Sequence, residues 1–187
     1  MHRVTARLRP RPAVVGLALP ALLLAGGVTP SPAAEPRDGE FVAVQVSEAD
    51  GSPVGGVVPC KWGVNARWTQ GNPSDLTYSA SFWCPLVPDG PEMAGFVEAS
   101  LHRPGGEPMG RAPRVDVTPY EPSETVSEGT VTVNRPSTQY VRHVSWVQML
   151  PTEPGKVWVW GALPEGCDGT GSPIAHCEID DDPFTVE

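Results

Sequence analysis

Three histidines, His102, His143 and His176, lie beyond the first thirty-odd residues and are the side chains suited to act as a general base at neutral pH. Nucleophilic catalysis also needs a Ser or Cys held by that base. His143 and Ser145 stand two apart in an alternating run, which makes them neighbours on one strand face and nothing more specific. A nucleophile elbow of the form Gly-x-Ser-x-Gly is missing. The nearest run, Gly169-Thr170-Gly171-Ser172-Pro173, departs from it and ends in a turn-forming proline. Paired carboxylates for glycoside chemistry carry no signal either, because 22 Asp and Glu supply many pairs by chance.

Metal chemistry is equally thin. Asp180, Asp181 and Asp182, with Asp168 upstream, offer oxygen ligands for calcium, but consecutive side chains of a strand point to opposite faces. They read as a solvated acidic turn before Pro183. His176 beside Cys177 invites zinc, yet no Cys-x-x-Cys spacing supports it. No metal and no cofactor is expected.

The four cysteines, Cys60, Cys84, Cys167 and Cys177, form an even set that reads as two disulfides with three possible connectivities. Local pairing, Cys60 with Cys84 and Cys167 with Cys177, is favoured because a long stretch of chain separates the two pairs.

Aromatic residues give the remaining binding signal. Trp158 and Trp160 share one face of a strand whose other face carries Val157 and Val159. Trp83 stands with Thr77, Ser79 and Ser81, opposite Tyr78 and Phe82. Such rings either fill a core or form a platform for sugar stacking or protein anchoring. As an interaction module, the chain is expected to expose at least two of Trp83, Trp158 and Trp160 on one face, with Tyr78 and Phe82 inside.

The start of the chain reads as an address. Arg3, Arg7, Arg9 and Arg11 precede an apolar stretch over 13–28, and small residues follow at Ser31, Ala33 and Ala34. A secretory signal peptide over 1–33 is expected, with a mature, extracellular chain over 34–187 and no membrane association after cleavage. The whole chain carries a net charge of −9; without the four Arg of the leader, 9 Lys and Arg face 22 Asp and Glu, a net of −13. Phosphate backbones and anionic lipids are repelled by such a surface, so nucleic acid is excluded as a partner.

The elements that must position these residues repeat every second residue. Alternation over 41–47 places Val42, Val44 and Val46 on one face, read as buried, and Gln45 and Ser47 on the other. Strands are also expected over 62–68, 76–84, 96–102, 114–118, 130–134, 140–150, 156–161, 174–179 and 184–186, separated by turns such as Asp50-Gly51 and Pro154-Gly155. No helical stripe free of Pro and Gly occurs after the leader. The pattern predicts an all-β, antiparallel β-sandwich, loosely immunoglobulin-like, with two disulfides. It is read as a single domain over 34–187, with a possible internal boundary in the acidic, proline-bearing segment 119–129.

Three functions remain open. A secreted, non-catalytic extracellular module binding a protein or polysaccharide leads. A secreted inhibitor of an extracellular enzyme such as a protease, presenting the Cys167 to Cys177 loop, is the alternative. A hydrolase is third.

Overall fold

Alternating side chains build twelve strands and, among the described residues, no helix. The computed structural model describes residues 37–72, 74–118 and 124–186; the expected leader over 1–33 and segment 119–123 lie outside them. The strands are β1 (Arg37–Ser47), β2 (Pro53–Trp68), β3 (Asp75–Trp83), β4 (Glu92–His102), β5 (Pro108–Arg111) and β6 (Val115–Val117). They continue as β7 (Thr125–Thr132), β8 (Ser137–Leu150), β9 (Lys156–Ala162), β10 (Cys167–Asp168), β11 (Ile174–Asp180) and β12 (Phe184–Val186). Two antiparallel sheets pack face to face. One has the order β7-β3-β2-β1-β9; the other runs β10-β11-β8-β4-β5, with β6 beside β4 and β12 beside β8.

The core is aromatic on the five-stranded side. Phe41, Phe82 and Trp160 meet there, with ring centroids 5.5 Å apart for Phe41 and Phe82 and 5.7 Å for Phe41 and Trp160. This cluster reverses the expected orientation of β1. Phe41, Ala43 and Gln45 are buried, while Val42, Val44 and Val46 are only half-buried on the outer face. The reason is volume: burying one Phe against two other rings removes more apolar surface than burying a valine. On the outer face the valines pack with one another, since Val44 pairs with Val57 on β2 and Val159 on β9, and Val46 with Val157.

Two elements exceed what the sequence pattern marks. β2 starts at Pro53, nine residues before the expected 62–68, because β1 pairs with it as far as Val46↔Pro53, across a register shift at Gly55 and Gly56 where alternation is blank. β7 begins at Thr125, inside the acidic segment read as a possible boundary, and pairs with β3 from Phe82↔Thr125 to Asp75↔Thr132. Gly129 of that strand lies over the Tyr78 hydroxyl, which also lies under Gly110 of β5. A Cβ at either glycine would fall 2.6–2.7 Å from that oxygen. The ring thus needs glycine on both sides. Buried Ser127 joins the sheets at this corner, accepting from the Ala99 amide at 3.0 Å and donating to the Pro113 carbonyl at 2.8 Å.

Both disulfides form with the expected local pairing. Cys60–Cys84 ties β2 to the end of β3, with Cα atoms 4.3 Å apart; Cys167–Cys177 joins β10 to β11 at 4.1 Å. Loop-closure entropy then ranks them. Replacing Cys60 and Cys84 together by Ala should cost about 3.5 kcal/mol for a separation of 24 residues, and the Cys167/Cys177 double replacement about 2.7 kcal/mol for 10. Urea unfolding of the two double variants checks both the size and the order.

Candidate functional site

Strand register decides which side chains meet on each outer face. On the five-stranded sheet, rows run across β2, β3 and β7: Gly63 opposite Ser81 and Val126, then Asn65 opposite Ser79 and Glu128, then Arg67 opposite Thr77 and Thr130. Gly63, Ser79 and Ser81 are the smallest side chains of these rows, so the surface dips between them. The result is an open trough of ≈ 370 Å³. Its rim carries the Arg67–Glu128 ion pair, with Nη2 to Oε2 at 2.6 Å, and the side chains of Arg37 and Asp38. Glu124 borders both this trough and a second depression that it forms with Lys61 and Trp83.

Trp83 therefore stands where the sequence placed it. It is half-buried on the outer face of β3 and faces Lys61 across the ladder, while Tyr78 and Phe82 are inside. Trp158 and Trp160 do not join it. Both are in the core, 3% and 0% exposed, so the expected open platform of at least two of the three tryptophans is not formed. The cause is β9's place in the sheet: its Trp face lies over β8 and the Phe41 cluster, and its Val face is the outer one.

Trp146 is the tryptophan that sequence reasoning missed. On the outer face of the seven-stranded sheet it pairs with Phe96 on β4 and His176 on β11. The signal was present in 140–150 as two interleaved sets, Tyr140-Arg142-Val144-Trp146 and Val141-His143-Ser145-Val147. Polar residues sit in both, so alternation alone gives no direction. Phe96 on this face is already covered by its own chain, with the Arg114 guanidinium 3.7 Å from the ring centroid and also paired to Glu98 at 3.4 Å.

The candidate pair His143 and Ser145 is buried, and the structure adds a second buried pair, Ser100 and His102. His143 Nε2 and Ser145 Oγ are 2.9 Å apart, and Ser100 Oγ and His102 Nε2 are 2.8 Å apart. His143 is 0% exposed, with its ring 6.0 Å from that of Trp62, and His102 stacks on Tyr140 at 5.2 Å. Burial pushes the His143 imidazole down to about 4, opposed only in part by the Gly63 backbone. Burial, and then the Arg142 charge, lower His102 in the same direction. The His143 imidazole is thus held neutral inside the sandwich, where it meets the Ser145 hydroxyl, whereas His102 belongs to the outer face of the seven-stranded sheet, where Tyr140 covers it and it meets the Ser100 hydroxyl.

The acidic run divides as alternation requires. Asp180 points outward and takes two hydrogen bonds from Arg142, at 2.6 and 2.9 Å; Asp181 is buried, and burial raises its carboxyl above the usual range. The Cys167–Cys177 loop spends its backbone inward. Gly171 donates to the Trp160 carbonyl at 2.7 Å, Trp160 to Ser172 at 2.9 Å, and Met149 to Pro173 at 2.8 Å.

Compared with known proteins, the chain matches no family model, no curated protein and no solved structure.

Proposed function

We propose that this chain is an exported, non-catalytic binding module whose ligand is a neutral polysaccharide held on the outer face of the five-stranded sheet. The observation that carries this reading is the floor of Gly63, Ser79 and Ser81, set between the Arg67–Glu128 pair and the Trp83 depression. Sugars present one apolar ring face and a rim of hydroxyls. Trp83 offers the matching ring surface, and Asn65, Asp38, Arg67 and Glu128 offer planar donors and acceptors in a trough of mixed charge. An anionic polymer gains nothing from that balance in a chain carrying 22 Asp and Glu.

Two disulfides fit an oxidising compartment, and among the described residues no helix is long and apolar enough to cross a membrane. The inhibitor reading has less support, because a protease-binding loop needs extended backbone free to pair with the enzyme, and the Cys167–Cys177 loop directs its backbone to Trp160 and Met149.

Retention on insoluble cellulose, chitin and xylan tests the proposal. Binding to at least one is expected. Trp83→Ala should weaken it by about tenfold, the upper end of what one aromatic contact supports, with little change in Tm because the ring is outside the core. Retention by none of the three, or undiminished binding of Trp83→Ala, would refute it.

A further inference from the structure

A second site lies at the opposite edge of the same sheet, where, among the described residues, β9 has an unfilled place for one more strand. The Trp160 amide and carbonyl both bond the Cys167–Cys177 loop, and Thr170 forms a parallel bridge with Trp160. That edge therefore already accepts backbone from another part of the chain. In a strand, backbone groups two residues apart point the same way. The Trp158 amide and carbonyl accordingly face the same edge as those of Trp160, away from β1. Among the described residues no backbone or side-chain group bonds them there. The Trp158 indole N–H is also buried without a hydrogen-bond partner.

Beside this gap is a cleft of ≈ 380 Å³. Its walls include Val46, Val157, Met149, Pro151 and Pro173, and Glu48 is the one charged side chain among the described residues that line it. Apolar walls alone would accept any greasy molecule. Apolar walls next to an unpaired amide and carbonyl, at strand spacing, select a backbone that carries both groups.

We propose that this cleft binds a short extended peptide segment, uncharged or cationic and bearing an apolar side chain, which continues the sheet at Trp158 beyond the place taken by Thr170. The peptide backbone exchanges hydrogen bonds with the Trp158 amide and carbonyl, and its side chain enters the cleft against Met149 and Pro173. Glu48 disfavours acidic sequences. The site is independent of the trough and of Trp83.

Amide hydrogen exchange and NMR titration of the full chain test this, with acetyl-Val-Ile-Val-amide as the probe. In the free protein the Trp158 amide should exchange about tenfold faster than that of Val159, which points toward β1, a ratio one hydrogen bond supports. Adding the peptide should slow Trp158 exchange and shift its amide and indole signals saturably. The same peptide N-methylated at Ile should do neither. Gln148→Trp, which fills the cleft from the surface of β8, should abolish the shifts, while Trp83→Ala should keep them. Equal exchange of the two amides in the free protein, shifts that do not saturate, or undiminished binding by folded Gln148→Trp would each overturn the proposal.

Discussion

Trp160→Ala is expected to remove about 3–5 kcal/mol from the unfolding free energy, the range for deleting a buried aromatic side chain. For a domain of this size that lowers Tm by roughly 6–20 °C. Trp160 is 0% exposed, and its ring touches both Phe41 and Phe82, so truncation opens a void between the sheets that neighbouring strands, fixed by their ladders, cannot close. Trp83→Ala is the internal control. Its ring is on the outer face, and its loss should cost less than about 1 kcal/mol, in line with surface substitutions. Thermal unfolding of the two variants side by side gives the test; a Trp160→Ala protein melting within two or three degrees of the wild type, by the same scale, would mean the aromatic core is not arranged as described.

Acid should weaken the protein through His143. The folded imidazole titrates at about 4, below the ordinary histidine value of 6.5, so the unfolded chain binds this proton first. The stability this neutral histidine provides is complete above pH 6.5. It falls as the pH drops from 6.5 to about 4 and changes no further below that. A difference of that size corresponds to about 3 kcal/mol. His102 is lowered as well and acts in the same sense, whereas Asp181, raised by burial, acts in the opposite one at lower pH. A His143→Gln protein isolates the effect. The amide keeps a bond to Ser145 Oγ but does not titrate, and His102 and Asp181 cancel in the comparison. Between pH 7 and pH 4 the wild-type urea midpoint should fall further than that of His143→Gln. Parallel curves would show that His143 is not sealed from water.

Particular residues show which features the sequence could reveal. Period-two alternation and bounding turn residues located β3, β8, β9 and β11, and local cysteine spacing identified both disulfides. Alternation names two faces without saying which is inside. For β3 the aromatic face was the unambiguous choice. For β1 a valine triplet stood against one Phe, and the side that won was chosen by Phe82 and Trp160, rings contributed from distant parts of the chain. The same ambiguity turned the β9 tryptophans inward and left Trp146 outward. The trough was illegible for a different reason. It is a product of register across β2, β3 and β7, and the third of those strands begins in a segment whose composition resembles a linker. The gap at Trp158 arises from hydrogen-bond direction along an edge, which no side-chain pattern encodes.

The long first half of β2 bears on how the protein behaves when concentrated. β3 pairs with β2 only from Lys61 onward, and Cys60 is tied to Cys84, so among the described residues Pro53 to Pro59 have a neighbour on the β1 side alone. Val54 and Val57 are 44% and 64% exposed in that stretch. A bare, valine-rich edge is a template on which another molecule can start a fibril. Here the template is short, because Pro53 and Pro59 bracket it and neither can donate a backbone hydrogen bond, so an incoming strand meets an interruption after five residues. Pro59 is therefore a guard against self-association as well as a member of the ladder with β1. Its replacement by a β-branched residue such as valine would lengthen the sticky edge to the disulfide at Cys60, trading shelf life in solution for a slightly better strand.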